Sequence, residues 1–213
     1  MPAHSSYPMP VALAQSTVFV VDDDPEFRES VSLLLESMKL NAEVFVSAED
    51  FVANYDPDRG GCLVSDVRMP GMSGLELQKW MLDKRIKLPI ILVTAHAEVP
   101  MAVEAMRAGA VDFIQKPYSP QQLLERVQQA LRQDEQRRQE ERADEVTQRL
   151  LDSLTPREHE IMDLLLDGAN AKEIGNRLKL STKTVDFHRR NLLDKMEVDS
   201  LVGLALIVRP REQ

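Results

Sequence analysis

The sequence has a single cysteine among its 213 residues, Cys62, which excludes an internal disulfide bond and fits a reducing compartment. We favour a small buried core side chain over a reactive thiol at this position. No apolar run approaches the ~18 residues that a membrane-spanning helix requires. Residues 1–16 contain no lysine or arginine, so they do not resemble a secretory signal. We therefore expect a cytoplasmic protein that does not bind membranes.

Basic residues are in the minority, and the formal net charge of −9 argues at first against binding to nucleic acid. The excess of acid is confined to the first 152 residues, because the chain from Ser153 onward holds ten basic and ten acidic residues. From Lys179 to Lys195, five basic residues stand against two acidic ones. The charge of the whole chain is therefore a poor guide to what its C-terminal part binds.

Short apolar runs alternate with amphipathic segments over the first 131 residues. The β-branched run at 17–21 predicts a buried strand, and Asp24 followed by Pro25 is typical of a helix N-cap and first helical position. Further strands are predicted at 42–46, 63–66, 89–94 and 110–114. Five βα units in about 120 residues predict a five-stranded parallel sheet of the doubly wound, flavodoxin-like class, with helices on both faces.

Polar residues follow four of these strands: Asp22 and Asp23, then Asp66, Thr94 and Lys116. Parallel strands end at one edge of a sheet, so these groups should converge. Three neighbouring carboxylates repel unless a cation joins them, and their oxygens suit Mg²⁺. Lys116 and the Thr94 hydroxyl are placed to bind an anion, which completes a constellation for phosphoryl transfer. Taken singly, each residue also has an ordinary structural explanation as a cap or a solvated side chain.

Residues 17–131 resemble the receiver domain of bacterial response regulators, most closely the FixJ-like subgroup, and we predict that this domain spans residues 15–131. The resemblance rests on Val-Asp-Asp-Asp-Pro at 21–25, Ser-Asp-Val-Arg-Met-Pro-Gly-Met-Ser-Gly at 65–74, Thr-Ala at 94–95, Ala-Gly-Ala at 108–110 and Lys-Pro at 116–117.

This resemblance implies that a sensor histidine kinase phosphorylates Asp66 and that Lys116 contacts the phosphoryl group. Asp22 and Asp23 would form an acid pocket for Mg²⁺, with Asp23, Asp66 and the backbone carbonyl of Arg68 as ligands. It also implies a cis peptide between Lys116 and Pro117.

Thr94 and Phe113 occupy the switch positions of the family. The family often has a phenol where Phe113 stands, so a switch that depends on that hydroxyl is excluded. Phosphorylation is expected to turn Thr94 inward, let Phe113 follow, and alter the face formed by residues 99–106 and 119–127. Homodimerisation and release of a second domain are both open as outputs. His96 is interpreted as exposed or packed in its loop, and not as catalytic.

Residues 132–152 are predicted to form a charged helical linker. No glycine or proline occurs between residues 121 and 155, so one helix is expected from about 120 to 151. Its middle is almost wholly polar, with Asp134 and Arg138 as a favourable i,i+4 pair. A solvated spacer is favoured over a paired coiled coil, because the apolar spacing lapses for two heptads.

Residues 153–213 are predicted to form a small all-α domain. Thr155 and Glu158 fit a capping box around Pro156. Helices expected at 171–178 and from Ser181 to about 196, joined by a tight turn, form a helix-turn-helix pattern. On the second helix, a helical wheel places Val185, His188, Leu192 and Met196 on the buried stripe, and Lys183, Phe187 and Arg190 on the opposite face.

The exposed face of this helix is the expected DNA-binding surface. Phe187, an aromatic between cations, is suited to contact a thymine methyl group, and Arg190 to donate to guanine. Lys183 is assigned to phosphate and Arg189 to the DNA backbone, and Thr184 is included among the contacts.

Residues 154–208 resemble the LuxR-type DNA-binding domain through Leu-Thr-Pro-Arg-Glu at 154–158, Lys-Glu-Ile at 172–174, Leu-Ser at 180–181, Lys-Thr-Val at 183–185 and His188. This resemblance implies dimeric binding to paired half-sites of double-stranded promoter DNA, often aided by phosphorylation. RNA polymerase is a possible further partner.

The favoured function is a phosphorylation-controlled transcriptional regulator that is not an enzyme, beyond a slow loss of its own phosphate. The alternatives are an aspartyl-phosphate phosphatase or transferase, and a DNA binder that does not depend on phosphorylation.

Overall fold

A computed structural model describes residues 16–208 of the chain. Residue 15 and residues 209–213 of the predicted domains lie outside the described residues. The strands are β1 (Thr17–Val21), β2 (Asn41–Phe45), β3 (Gly61–Asp66), β4 (Ile90–Thr94) and β5 (Asp112–Gln115). The helices are α1 (Pro25–Ser37), α2 (Ala48–Asn54), α3 (Gly74–Asp83), α4 (Val99–Arg107), α5 (Pro120–Asp152), α6 (Pro156–Leu166), α7 (Ala171–Leu178), α8 (Thr182–Lys195) and α9 (Leu201–Val208).

The strands form one parallel sheet in the order β2-β1-β3-β4-β5. Side chains of β1 alternate between two apolar layers, as the period of a strand dictates. Val18 and Val20 pack in the layer that contains α1 and α5, and Phe19 and Val21 pack in the layer that contains α2, α3 and α4. The predicted doubly wound fold is confirmed.

The last strand begins two residues later than predicted. The segment expected to start it closes α4 instead, because Gly109 adopts a left-handed conformation with φ of 87°. The amide of Ala110 then donates to the carbonyl of Ala105 at 3.1 Å. This is the arrangement by which a glycine commonly ends a helix, and the strand starts only after it.

Two compact units meet between Gln139 and Glu140. The second unit is helical, and its buried core is formed by side chains of α6, α7, α8 and α9 with Leu154 before α6. Helix α5 is continuous over 33 residues and links the two units. Within residues 16–208, no helix combines the length and the apolar character needed to cross a bilayer.

The middle of α5 contains a buried carboxylate, where the sequence predicted a solvated spacer. Asp134 is only 1% exposed. It accepts hydrogen bonds from the backbone N–H of Gly61 at 2.8 Å and from Nε of Arg138 at 3.0 Å, and it is paired with Arg137. The i,i+4 pair of Asp134 and Arg138 was predicted, but its burial was not, because the partner that buries it lies 73 positions earlier in the chain.

Arg138 extends this attachment of α5 to the loop that precedes β3. Its guanidinium donates to three backbone carbonyls of the preceding loop, those of Pro57, Asp58 and Arg59. A side chain at Gly60 would begin 3.2 Å from both Arg138 Nε and an Asp134 carboxylate oxygen, so close approach of the loop favours glycine there. The predicted linker is therefore attached to the first unit as far as residue 138.

Replacing Asp134 with alanine should lower the free energy of unfolding of the first unit by about 1.5–3 kcal/mol, because two partly buried guanidinium groups and the Gly61 N–H lose their acceptor. Urea unfolding followed by the fluorescence of Trp80, the single tryptophan, measures this unit. Glu125→Ala is the matched control, since Glu125 is exposed on the same helix and should cost less than about 0.5 kcal/mol. Equal losses in the two variants would contradict the assignment.

Candidate functional site

The sheet brings four predicted site residues to one edge. Val21 pairs with Ser65, Asp66 with Val93, and Thr94 with Gln115, so neighbouring strands end level with one another. The residues that end or follow these strands are Asp22, Asp66, Thr94 and Lys116. Convergence here requires the parallel sheet, since Asp22 and Lys116 are 94 positions apart in the sequence.

Lys116 joins the two carboxylates. Its Nζ atom lies 2.9 Å from Oδ2 of Asp22 and 2.9 Å from Oδ1 of Asp66. Asp22 is 1% exposed and Asp66 is 7% exposed. A cation is required at this position, because two buried carboxylates without one would be strongly destabilising.

Burial and hydrogen bonding act in opposite directions on these groups. Burial raises the pKa of Asp22 above its ordinary value, and the hydrogen bonds from Lys116 and the Asp24 amide only partly offset this. Burial alone would lower the pKa of Lys116, but its hydrogen bonds to Asp22 and Asp66 raise the pKa of that ammonium. Lys116 is therefore protonated throughout the physiological range.

The loop after β3 forms one wall of the site. The backbone N–H of Arg68 donates to Oδ2 of Asp66 at 2.6 Å. The next part of the loop is held from α2, since a carboxylate oxygen of Glu49 accepts from the amide of Met72 at 2.7 Å. A Cβ at Gly74 would lie 2.2 Å from the carbonyl oxygen of Asp66, so only glycine lets α3 begin this close to the strand end. Sequence reasoning missed Glu49, which had only the signal of an acidic residue in the first turn of a helix.

The two predicted switch residues lie beside this edge. Thr94 is 1% exposed, and its hydroxyl accepts from the backbone N–H of His96 at 3.2 Å. Phe113 is half-buried and packs against the layer of α2, α3 and α4. The His96 side chain is exposed, as predicted. The peptide between Lys116 and Pro117 is cis, as the resemblance implied.

The acidic edge has the donor chemistry for a divalent cation. Asp23 is exposed next to Asp22, so three carboxylates and the one ammonium of Lys116 leave two negative charges. Hard oxygen donors with this excess of charge fit Mg²⁺. Within residues 16–208, no three acidic, histidine or cysteine side chains form a ready-made metal cluster.

Cys62 is buried in β3, and burial raises the pKa of its thiol. A thiolate is the reactive form of cysteine, so this position is chemically inert. The structural interpretation of Cys62 agrees with this placement.

In the second unit, α7 and α8 form the two helices of a helix-turn-helix. Lys179 ends α7 in a left-handed conformation with φ of 55°, and the amide of Leu180 donates to the carbonyl of Gly175. A Cβ at Gly175 would lie 2.8 Å from the carbonyl oxygen of Leu180. The tight turn between the helices therefore depends on glycine at position 175, because the backbone of Leu180 packs against it.

The faces of α8 separate as the helical wheel indicates. Val185, Leu192 and Met196 are fully buried, and His188 is half-buried with its ring 5.7 Å from that of Phe187. The predicted DNA contacts lie outside this core: Lys183 and Arg190 are exposed, Phe187 is 59% exposed, and Thr184 and Arg189 are half-buried. The Thr184 hydroxyl is already engaged with that of Ser181 at 2.7 Å, in the N-cap of the helix.

A partly buried ion pair connects the start of α6 to the end of α8. Glu158 is 3% exposed and completes the capping box with Thr155. Its carboxylate also accepts from Nζ of Lys195 at 2.7 Å, and the same ammonium donates to the carbonyl of Ser153. Burial alone would raise the pKa of Glu158, but the hydrogen bonds from Lys195 and Thr155 hold that pKa below its usual value.

Two family models match the chain. Response regulator receiver domain matches residues 18–128, and Bacterial regulatory proteins, luxR family, matches residues 152–208. The chain is 39% identical over 193 residues to Nodulation protein W of Bradyrhizobium diazoefficiens, and this alignment covers 91% of this chain and 85% of that protein. It is 41% identical over 188 residues to the transcriptional regulatory protein FixJ of Azorhizobium caulinodans, covering 88% of this chain and 89% of that protein.

Two solved structures are similar to the chain over most of its length. The response regulator StyR has a TM-score of 0.86 at 41% identity, over 91% of this chain and 98% of that one. Full-length FixJ from B. japonicum has a TM-score of 0.55 at 36% identity, over 91% of this chain and 95% of that one.

The ion pair of Glu158 predicts how the second unit responds to acid. Because its folded pKa is depressed, its stabilisation is present above the unfolded value near 4.3 and is lost as pH falls through the folded value. Glu158→Gln should destabilise the unit by about 1.5–3 kcal/mol at pH 7 and remove this part of the acid sensitivity. Hydrogen exchange of α8 amides measures both effects. Glu160→Gln, in an exposed pair with Arg157, is the control and should change neither.

Proposed function

Since this chain belongs to the family of bacterial response regulators that join a receiver domain to a LuxR-type DNA-binding domain, we propose that Asp66 is its phosphoacceptor. The protein is a phosphorylation-controlled transcriptional regulator, and the function predicted from sequence is confirmed at this level. A histidine kinase and DNA are the partners that its two domains imply. Its regulatory family does not favour the alternative of a phosphatase or transferase.

The observation that carries the proposal is the ammonium of Lys116 shared by two buried carboxylates. Of these two, Asp66 is the more accessible, with a side chain 10% exposed against 1% for Asp22. An incoming phosphorus atom must reach a carboxylate oxygen, so Asp66 is the nucleophile and Asp22 a member of the acid pocket. The other oxygen of Asp66 is oriented by the amide of Arg68.

Phosphoryl transfer then needs little rearrangement of the chain. An oxygen of Asp66 attacks phosphorus, and the bond from phosphorus to the donor breaks as the acyl phosphate forms. Lys116 lies within hydrogen-bonding distance of the attacking carboxylate and would stabilise the negative charge that the phosphoryl oxygens bring. Slow hydrolysis of the acyl phosphate would return the protein to its resting state.

Mg²⁺ is the metal that receiver domains typically use, and the acidic edge fits it. We assign Asp22 and Asp23 to its acid pocket, with Asp66 and the backbone carbonyl of Arg68 as further ligands. When bound, the ion neutralises charge on the transferred group.

The switch follows from the position of Thr94. Its hydroxyl is held only by the amide of its own loop among the hydrogen bonds of the described residues, so the phosphoryl oxygens offer it a stronger, charged acceptor. Phe113 would then follow toward the space that Thr94 leaves. The helix that receives the change is α4, whose Val99 is 79% exposed and whose Val103 is 42% exposed. This apolar face supports homodimerisation on phosphorylation as the output.

The exposed face of α8 is the proposed DNA-reading surface. Phe187 would contact a thymine methyl group and Arg190 a guanine, while Lys183 and Arg189 would contact phosphates. Thr184 would add a contact from the N-terminal turn, through its methyl group or after release from Ser181. RNA polymerase is the expected further partner at a promoter, and the cytoplasm is the expected compartment because promoter DNA lies there.

The functional segments proposed are a receiver domain at 15–131, a linker at 132–152 and a DNA-binding domain at 153–213. The limits of the family matches, residues 128 and 152, support this division. Asp134 and Arg138 attach the first turns of the linker to Gly61 and the loop before it. We therefore infer that these turns move with the receiver domain.

Asp66→Asn should abolish covalent phosphorylation by acetyl phosphate with Mg²⁺, because an amide cannot act as the nucleophile. Intact-mass spectrometry detects the added phosphoryl group. Asp83→Asn, an exposed substitution at the end of α3, should be labelled like the unaltered protein. Retained labelling of the Asp66 variant would overturn the assignment of the phosphoacceptor. In the unaltered protein, DNA affinity that is the same with and without phosphodonor would overturn control of DNA binding by phosphorylation.

Arg190→Ala should cost about 1–3 kcal/mol at one base position of a site selected from random duplexes, with little change elsewhere. Lys183→Ala is the matched comparison, because loss of a phosphate contact weakens binding to all sequences and lowers the salt slope by about one. A uniform loss for Arg190→Ala would make Arg190 a backbone contact.

A further inference from the structure

An aromatic ring lies over the ammonium of Lys116, which also contacts the two carboxylates. The ring centroid of Phe27 lies 3.7 Å from Nζ of Lys116. Two hydrogen bonds of the ammonium go to Asp22 and Asp66. The electron-rich face of an aromatic ring attracts a cation at such a distance, and the attraction is stronger where water is excluded.

The ring is held in place by the segment that also carries the acid pocket. Asp24 caps α1 by accepting from the amide of Glu26 at 2.9 Å, which sets the first turn on which Phe27 lies. Arg28 donates to the backbone carbonyl of Asp22 at 2.6 Å and ties this turn to the end of β1. The Phe27 ring also meets Tyr118 edge to face, with centroids 6.4 Å apart.

We propose that Phe27 is a positioning residue for phosphoryl transfer to Asp66, acting through Lys116. This role rests on the proposed function, in which Asp66 is the phosphoacceptor. Without the ring, water would hydrate the open side of the ammonium and compete with the carboxylates and the phosphoryl oxygens for its protons. With the ring, Lys116 is aimed at the acceptor edge before the donor arrives, which lowers the cost of reorganisation.

If Phe27 had a purely structural role, only the size and apolar character of its side chain would matter. Phe27 also packs at the edge of the layer of α1 and α5, and any apolar side chain of similar size would fill that space. A positioning role requires the π face. The comparison that separates the two roles is therefore between apolar side chains with and without a ring.

The variants are Phe27→Leu and Phe27→Met, which keep an apolar side chain, and Phe27→Tyr, which keeps the ring. The rate of labelling by acetyl phosphate at saturating Mg²⁺ should fall about 2- to 30-fold in the first two, the range that a cation–π contact provides. It should stay within about twofold in Phe27→Tyr. A small donor is used because the change then cannot arise from docking of a kinase. Urea unfolding followed by Trp80 fluorescence verifies that the receiver unit is folded.

A second measurement observes the contact itself. Ring current should shift the ε-methylene protons of Lys116 upfield in the unaltered protein and in Phe27→Tyr, and the shift should vanish in Phe27→Leu. An unchanged labelling rate in Phe27→Leu and Phe27→Met would overturn the positioning role while Asp66 remained the acceptor. An equal loss of rate in Phe27→Tyr would also overturn it. Absence of labelling in the unaltered protein would instead overturn the proposed phosphoacceptor, and this role with it.

Discussion

The ammonium of Lys116 between the carboxylates of Asp22 and Asp66 is the interaction on which the receiver unit depends. Each of these carboxylates is nearly removed from water, and a pair of carboxylates buried there without a nearby cation would be strongly destabilising. Because one ammonium serves two buried carboxylates, with Asp23 beside them, the edge keeps an excess of negative charge. That excess fits a divalent cation, and it is the basis on which we propose this edge as the site of phosphoryl transfer.

Other buried carboxylates of the molecule show the contrast. Asp134 is matched by two arginines and a backbone N–H, and Glu158 by Lys195 and its own capping box. These groups are satisfied within the chain and hold segments together. The carboxylates around Lys116 are incompletely neutralised. The ratio of carboxylates to cations therefore distinguishes the candidate site from a structural attachment, although Asp22 and Asp66 are buried like Asp134 and Glu158.

Close backbone approaches at glycine residues position the elements that carry the functional side chains. Gly74 lets α3 start against the carbonyl of Asp66, and Gly175 lets the turn of the helix-turn-helix close. Gly60 admits the guanidinium of Arg138 to the loop before β3. The receiver site lies at the ends of β1, β3 and β5, and the linker is attached at the opposite end of β3. One strand thus connects Asp66, the proposed phosphoacceptor, to the attachment point of the linker.

Much of this could be predicted from the sequence, because it depends on local pattern. The strand-helix alternation, the caps at Asp24 and Thr155, and the separation of faces on α8 are set by neighbouring residues, and the polar residues at strand ends converge once a parallel sheet is assumed. The burial of Asp134, the ring of Phe27 over Lys116 and the hold of Glu49 on its loop were decided by the tertiary structure. Each depends on groups from separate elements meeting in three dimensions, and Asp134 differs from its solvated neighbours on α5 only because the N–H of Gly61, 73 residues earlier, faces it.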